Sequence, residues 1–278
     1  MEFDYRTLVT YVAIGDFFVA IIFIFFCIAS SAYRRWFSVL FIASRLLQGV
    51  GILGIAYRTI LSDFFSITVS NSMLLFAIAT EVFAINSYRG ILQRRSLITL
   101  AALNALGLIL FWQFSADVAM RTLVWSWTAM CLYAVGAYLL LRKRGKLKAP
   151  LIIAVAYLAY AAIQFLRSVS ILNAGCDYSF RRFTSIDVLA INGSLFIVIL
   201  ASMGFLLLFQ EIAQEAVVVK NKKLEASNAT KTQLFSIIAH DLKSPLSSLQ
   251  GILQLVKDGL VSEEDLRPLF QKLSKDVD

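Results

Sequence analysis

Histidine, lysine and cysteine are scarce over most of this sequence, and each scarcity excludes a class of protein. The only histidine among the 278 residues is His240, so the apolar first part has no histidine to hold a haem. The first lysine is Lys143, in a loop, so no apolar segment offers the lysine that a retinal Schiff base needs. The three cysteines, Cys27, Cys131 and Cys176, form no CxxC pair and predict neither a disulfide framework nor a cysteine metal site.

Charge is also scarce, since charged residues make up 16% of the sequence and hydrophobic residues 59%. A soluble domain is closer to half apolar and a quarter charged. The apolar excess falls before residue 210, in runs of about 20 residues, the length that a helix needs to cross a bilayer core. We therefore predict seven membrane spans with short connections and no folded extracellular domain. They are 8–30, 37–57, 65–86, 97–115, 122–141, 149–171 and 188–209.

Lysine and arginine are unequally divided between the two sets of loops, and the richer set is expected to face the cytoplasm. That set holds Arg34, Arg35, Arg89, Arg94, Arg95, Arg142, Lys143, Arg144, Lys146 and Lys148. The poorer set holds Arg6, Arg58, Arg121, Arg181 and Arg182. The N-terminus should therefore lie outside the cell and the C-terminus in the cytoplasm. The net charge of +8 reflects this loop bias and does not indicate binding to nucleic acid.

Four ionisable residues lie within the predicted spans, where charge is costly and such side chains face the bundle interior. Counting turns from the inner face puts Arg45 of span two and Glu81 of span three at similar depth, so we expect a structural or switching pair. Asp16 of span one and Arg167 of span six both fall in the outer half, and we expect them to line an outward-facing pocket. Ion pairing without any role in sensing is the simpler alternative.

The second span contains the pattern GxGxxG, from Gly49 to Gly54. A dinucleotide-binding loop with this pattern follows a strand and opens a helix, and no strand is predicted here. Glycines within a span more often allow two helices to approach closely. We therefore interpret the pattern as a helix contact.

Composition changes abruptly after Phe209, where Lys, Glu, Gln, Asn and Ser replace the apolar runs. Apolar residues then recur with a heptad spacing that predicts a coiled-coil helix. The a positions are Gln214, Asn221, Asn228, Phe235, Leu242, Leu249 and Val256, and the d positions are Val217, Leu224, Lys231, Ile238, Pro245 and Ile252. The seam is apolar from Phe235 onward and weaker before it. This pattern is typical of a signalling helix that switches its packing, and equally of an imperfect coiled coil.

The first soluble helix should end near Gly259, because glycine is common just beyond a helix end. Ser262 followed by Asp265 has the spacing of a capping box, which predicts that a second helix returns antiparallel to the first. Pro268 suits the first turn of that helix better than its interior. The two helices would form a hairpin.

The most informative segment runs from Phe235 to Leu246 and reads FSIIAHDLKSPL. It resembles the H-box of sensor histidine kinases, an apolar run followed by Ala-His-Asp/Glu-Leu-Lys/Arg-Ser/Thr/Asn-Pro-Leu, and it matches that pattern without a gap. The resemblance extends over about residues 220–278. It implies that His240 accepts a phosphoryl group and that Asp241 and Ser244 assist the chemistry.

The chemistry of these residues agrees with the resemblance. His240 falls at heptad position f, away from the seam, where an imidazole that is largely neutral at cell pH can act as a nucleophile. Asp241 could orient the ring or accept its proton. Ser244 stands where the family's Thr or Asn helps to place water for dephosphorylating the regulator, so phosphatase activity is left open. Pro245 cannot donate to the carbonyl of Asp241 and should kink the helix.

The resemblance also implies cofactors and partners. ATP with Mg²⁺ would be bound by a separate domain, and because residues 210–278 contain no Asn-rich or Gly-rich nucleotide box, we expect that domain to lie outside this chain. The chain alone should therefore be inactive. The implied partners are a second copy, which completes a four-helix bundle, a response regulator, the lipid of a bacterial inner membrane, and an unknown small-molecule or membrane stimulus.

These observations predict an all-α protein with three parts and no metal site. Residues 1–209 form a transmembrane sensor domain, residues 210–230 a signalling helix, and residues 231–278 a dimerisation and histidine phosphotransfer hairpin. The competing interpretation is a seven-helix membrane receptor or transporter-like bundle without phosphotransfer. In that case the segment around His240 would be incidental.

Overall fold

The computed structural model describes residues 5–29, 36–88, 94–143, 147–174, 185–258 and 268, and within them the chain is helical with no strand. This confirms the predicted all-α class. The helices are α1 (Tyr5–Ala29), α2 (Trp36–Ala56), α3 (Ser70–Asn86, preceded by a π-helical segment Phe64–Val69), α4 (Arg94–Gln113), α5 (Val118–Lys143), α6 (Ala149–Ala174) and α7 (Ser185–Lys257).

Seven helices in the described residues are long and apolar enough to cross a membrane, as the apolar runs predicted. The third of these spans is Phe64–Asn86, in which the π-helical segment and α3 are continuous. Most helix bounds lie within a few residues of the predicted ones. The largest difference is α7, which continues from the seventh apolar run to Lys257 as one helix of 73 residues.

The first helix shows how the spans divide between lipid and protein. Its residues Phe18, Ile21, Phe25 and Ile28 recur every three or four positions and are all more than half exposed. Such a stripe would be a liability in water and is expected where a helix faces hydrocarbon. The opposite face, with Phe23, is buried against the other helices.

Phenylalanine rings join α1, α2 and the first part of α7. The Phe41 and Phe205 ring centroids are 4.3 Å apart, those of Phe23 and Phe41 are 4.9 Å apart, and Phe37 stacks on Phe209 at 5.3 Å. Offset and edge-on ring pairs add to the packing energy beyond simple burial. These contacts fix the position of α7 within the membrane bundle.

The glycines of the GxGxxG pattern lie at close contacts between helices. A Cβ on Gly49 would approach the Phe17 ring of α1 to 2.9 Å, and one on Gly51 would lie 3.0 Å from the Ser70 carbonyl oxygen of α3. A Cβ on Gly54 would collide with the Ser70 side chain. The pattern therefore belongs to a packing interface and not to a nucleotide loop.

Contacts divide the chain into two compact units, Met1–Ala213 and Gln214–Asp278. Glu211 belongs to the first unit because its carboxylate accepts hydrogen bonds from the backbone N–H groups of Lys148 and Ala149, at 3.1 and 3.2 Å. Those N–H groups open α6, where a carboxylate is favourable. The predicted functional bounds at 209 and 230 stay predictions.

Several expectations fall outside the described residues. These are the helix end at Gly259, the capping box Ser262–Asp265, the return helix after Pro268 and the loop position of Cys176. The described helix ends at Lys257, two residues before the predicted glycine. Pro245 lies inside α7, and the kink expected there stays a prediction.

We predict that Gly51→Ala destabilises the membrane unit by about 1–3 kcal/mol, because the new methyl group meets a backbone oxygen that cannot move aside. The measurement is unfolding of the chain in mixed micelles, followed by circular dichroism. Gly15→Ala is the matched control, since its Cβ would lie 3.5 Å from the Leu195 side chain, an ordinary contact. Equal stability of the two variants would contradict the tight α2–α3 contact.

Candidate functional site

His240 lies on α7 within the second unit, and its side chain is 86% exposed. The Asp241 side chain beside it is 70% exposed. The Nδ1 atom of His240 lies 3.2 Å from Asp241 Oδ1, which is within hydrogen-bond distance. When Nδ1 carries the proton, it donates a hydrogen bond to Asp241 Oδ1, and the lone pair of the ring is on Nε2.

The helix turns about 100° per residue, which sets the direction of His240 relative to the heptad seam. His240 is about 140° from Phe235 and about 160° from Ile238 and Leu242. These three apolar side chains are themselves exposed, by 69%, 44% and 56%. Within the described residues the helix therefore has an exposed apolar face, and His240 is on the opposite face.

Three further positions of the box lie on the same helix. Lys243 is exposed, Pro245 is half-buried, and the side chain of Ser244 is outside the described residues. The role expected for Ser244 in dephosphorylation stays a prediction. The arrangement can present one imidazole nitrogen to a phosphoryl donor while a carboxylate holds the other.

A second constellation, the buried ionic cluster, lies in the membrane unit and consists of Asp16, Arg45, Gln48, Glu81 and Tyr157. Arg45 is at its centre and is fully buried. Its Nη1 atom donates to Asp16 Oδ1 at 3.2 Å, and its Nη2 atom lies 2.5 Å from Glu81 Oε1. The guanidinium thus joins α2 to both α1 and α3, and Arg45 and Glu81 lie in contact. Their depth in the membrane stays a prediction.

Glu81 is the better satisfied of the two carboxylates. Besides Arg45, it accepts a hydrogen bond from the Tyr157 hydroxyl at 3.0 Å and one from Gln48 Nε2 at 2.8 Å. Asp16 receives only the one bond from Arg45, and its Oδ2 atom has no hydrogen-bond partner in the described part of the chain. Two carboxylates therefore share one guanidinium, and the surplus negative charge falls on Asp16.

Asp16 and Arg167 form ion pairs with different partners. Arg167 Nε donates to Asp187 Oδ1 at 2.9 Å, which joins α6 to α7, while Asp16 bonds Arg45. Both residues nevertheless line one cavity of about 110 Å³ among the helices, as the pocket hypothesis expected. The side of the membrane to which it opens stays a prediction.

The sequence interpretation missed Gln48, Tyr157 and Asp187. Gln48 follows Arg45 by three residues and so shares its helix face, a signal that was available from the spacing. Asp187 was placed just outside the seventh span, but α7 begins at Ser185, and an acidic residue is favourable in a first helical turn. Nothing in the sequence indicated that Tyr157 binds Glu81, because tyrosines are common within membrane spans.

Comparison with known proteins agrees with the geometry of the second unit. Residues 230–278 match the family described as the His Kinase A (phospho-acceptor) domain. The match includes His240, Asp241, Ser244 and Pro245. No curated protein and no solved structure matches the chain.

We predict that Arg45→Met destabilises the membrane unit by about 3–5 kcal/mol, because it leaves two buried carboxylates without a cation. The measurement is unfolding in mixed micelles, with Arg95→Ala on the exposed side of α4 as a control of negligible effect. Adding Asp16→Asn and Glu81→Gln to Arg45→Met should recover part of the loss. A triple variant no more stable than Arg45→Met would contradict an electrostatic origin.

Proposed function

We propose, from the phosphoacceptor domain that this chain carries, that it is the membrane sensor and phosphoacceptor part of a two-component sensor histidine kinase. His240 would receive the γ-phosphoryl group of ATP, bound with Mg²⁺ by a separate domain, and pass it to an aspartate of a response regulator. The observation that carries the proposal is an exposed His240 within residues 230–278, held by Asp241 at 3.2 Å. The exposure leaves room for both a kinase domain and a regulator.

The contact with Asp241 suggests which nitrogen reacts. With the proton on Nδ1, the lone pair of Nε2 attacks the γ-phosphorus in line with the departing ADP oxygen, so an N–P bond forms as a P–O bond breaks. The ring gains positive charge as it does so, and the adjacent carboxylate stabilises that charge by accepting the Nδ1 proton. Transfer to the regulator breaks the N–P bond as a P–O bond to the regulator's aspartate forms, and Nδ1 regains its proton from Asp241, which restores the neutral ring.

The apolar face of α7 supports a homodimer. Phe235, Ile238 and Leu242 are each exposed by 44% or more, and they occupy successive a and d positions. Pairing with the same face of a second chain removes these side chains from water, as in a coiled coil or four-helix bundle. His240 points about 140–160° away from them and stays accessible in such a dimer.

The cellular orientation follows from the same chemistry. ATP is a cytoplasmic substrate, so the unit that carries His240 would lie in the cytoplasm of a bacterial cell, beneath the inner membrane. The lysine- and arginine-rich ends of the spans, which include Arg94 and Arg95 at the start of α4 and Lys148 just before α6, favour the same side. The short connections between the spans would leave detection of the stimulus to the membrane bundle.

We predict that His240→Gln abolishes phosphorylation of this chain. The chain, in lipid nanodiscs and with a histidine kinase ATP-binding domain fused after Asp278, is incubated with Mg²⁺ and radiolabelled ATP. Because His240 is the only histidine, acid-labile and alkali-stable label must be on it. Thr232→Ala, an exposed position on the same helix, is the matched control and should keep full label. Label that survives His240→Gln, or its absence from the unchanged chain, would overturn the proposal.

We further predict that Asp241→Asn slows labelling of His240 by about ten- to a hundredfold, because the amide cannot accept the ring proton as charge develops. The rate is measured as initial label incorporation at saturating ATP. Lys243→Ala, an exposed neighbour that touches no reacting atom, should label at the normal rate. An unchanged rate in Asp241→Asn would show that the 3.2 Å contact has no part in the reaction.

A further inference from the structure

The cavity in the membrane unit has polar and aromatic walls. It is lined by residues of all the spanning helices except α4. About half of these residues are aliphatic, and the others include Asp16, Trp125, Tyr133, Tyr160, Gln164 and Arg167. Its volume of about 110 Å³ is several times what one water molecule requires, and somewhat less than a cavity that holds benzene. It is therefore large enough for a molecule of about four or five heavy atoms.

Asp16 gives this cavity a carboxylate with unused hydrogen-bonding capacity. The side chain is fully buried, and its Oδ2 atom has no partner in the described residues. Its single cation, Arg45, is shared with Glu81, which takes the closer contact of 2.5 Å and two further hydrogen bonds. A carboxylate in hydrocarbon with so few favourable contacts costs free energy, and a nearby positive group would stabilise it.

Gln164 is a second residue at the cavity whose hydrogen-bonding groups lack partners in the described residues. It is fully buried, and neither amide atom makes a hydrogen bond of good geometry in the described part of the chain, although the Tyr160 hydroxyl is nearby. The indole N–H of Trp125 is also buried, and no described residue accepts a hydrogen bond from it. Buried polar atoms are nearly always paired in folded proteins, so a cluster of unpaired ones around a cavity points to a polar ligand.

The charges and rings around the cavity favour a cationic ligand. Arg167 is already bonded to Asp187, so it does not neutralise Asp16, and an anion would meet the Asp16 carboxylate. Trp125, Tyr133 and Tyr160 offer aromatic surfaces, and such faces attract ammonium groups. A transition metal is disfavoured, because no group of three or more His, Cys, Asp or Glu side chains in the described ranges could hold one.

We propose that this cavity binds a small organic ammonium ion of about four or five heavy atoms. On binding, the side chains of Asp16 and Gln164 turn toward the cavity that they line, so that Asp16 Oδ2 and the Gln164 side-chain oxygen accept hydrogen bonds from the ammonium N–H groups. The alkyl part of the ligand lies against the aromatic side chains. This binding does not depend on phosphorylation of His240. An effect of the ligand on labelling would rest on the proposed function, and it has a route, since α7 both lines the cavity and carries His240.

The test compares a cation with its neutral counterpart of equal size. Isopropylammonium chloride and isopropanol are titrated separately into the whole chain in lipid nanodiscs, with sodium chloride as a third arm, and binding is followed by calorimetry. We expect saturable binding of isopropylammonium and at least about tenfold weaker binding of isopropanol, because a charge-assisted hydrogen bond is lost. Equal binding of isopropanol, equal heat from sodium chloride, or no saturation by isopropylammonium would overturn the proposal.

Variants locate the binding site. Asp16→Asn should lower isopropylammonium affinity at least about tenfold and remove the preference over isopropanol. Asp63→Asn, which changes a carboxylate that is 81% exposed, should keep both affinities. Asp16→Asn with unchanged affinity would refute the assignment.

Gln164→Leu separates binding from folding. Replacing an unsatisfied buried amide by an apolar side chain should make the membrane unit at least as stable as before, measured by unfolding in mixed micelles. The same variant should bind isopropylammonium several-fold more weakly, because an acceptor is lost. A stable Gln164→Leu protein with full affinity would contradict the proposed site, even if Asp16→Asn did not fold.

Discussion

The membrane unit depends on one guanidinium, that of Arg45, buried among carboxylates from two other helices. Its contacts with Asp16 and Glu81, at 3.2 and 2.5 Å, join α1, α2 and α3, and Tyr157 adds α6 through Glu81. In hydrocarbon these groups have no water to replace a lost partner, so sliding one helix past another would expose a charge. This electrostatic cost adds to the steric constraint of the close glycine contacts that α2 makes with α1 and α3.

The sequence was sufficient to predict the spans and the fold class, because both follow from the length and composition of apolar runs. The contact between Arg45 and Glu81 could also be predicted from the sequence, since two charges expected at one depth on adjacent spans have few other partners. The sequence could not choose the partner of Asp16. The depth of a residue in the membrane can be estimated from the number of helical turns. Which other helix lies beside that residue depends on packing, and packing is decided by the shapes of many side chains at once.

The second unit was readable for a different reason. The family matched at residues 230–278 is recognisable from a fixed order of residues along one helix, from the apolar run before His240 to Pro245 after it, and such an order can be read from the sequence itself. Its neighbour Asp241 needs no tertiary contact to reach the ring. The seam of Phe235, Ile238 and Leu242 is likewise a local pattern, and its exposure in a single chain is what the heptad spacing implies.

The contrast between Glu81 and Asp16 separates stability from function within the buried ionic cluster. Glu81 has an ion pair with Arg45 and two hydrogen bonds, and it would be costly to disturb, as expected of a group that holds helices together. Among the described residues, Asp16 has one donor and an oxygen without a partner, and an apolar side chain of similar size in its place would remove the penalty of that oxygen. The same holds for Gln164, whose buried amide makes no hydrogen bond of good geometry in this part of the chain. Polar atoms that stay unpaired in the described residues and belong to side chains around one cavity are better explained by a ligand in the cavity than by the packing of the bundle alone.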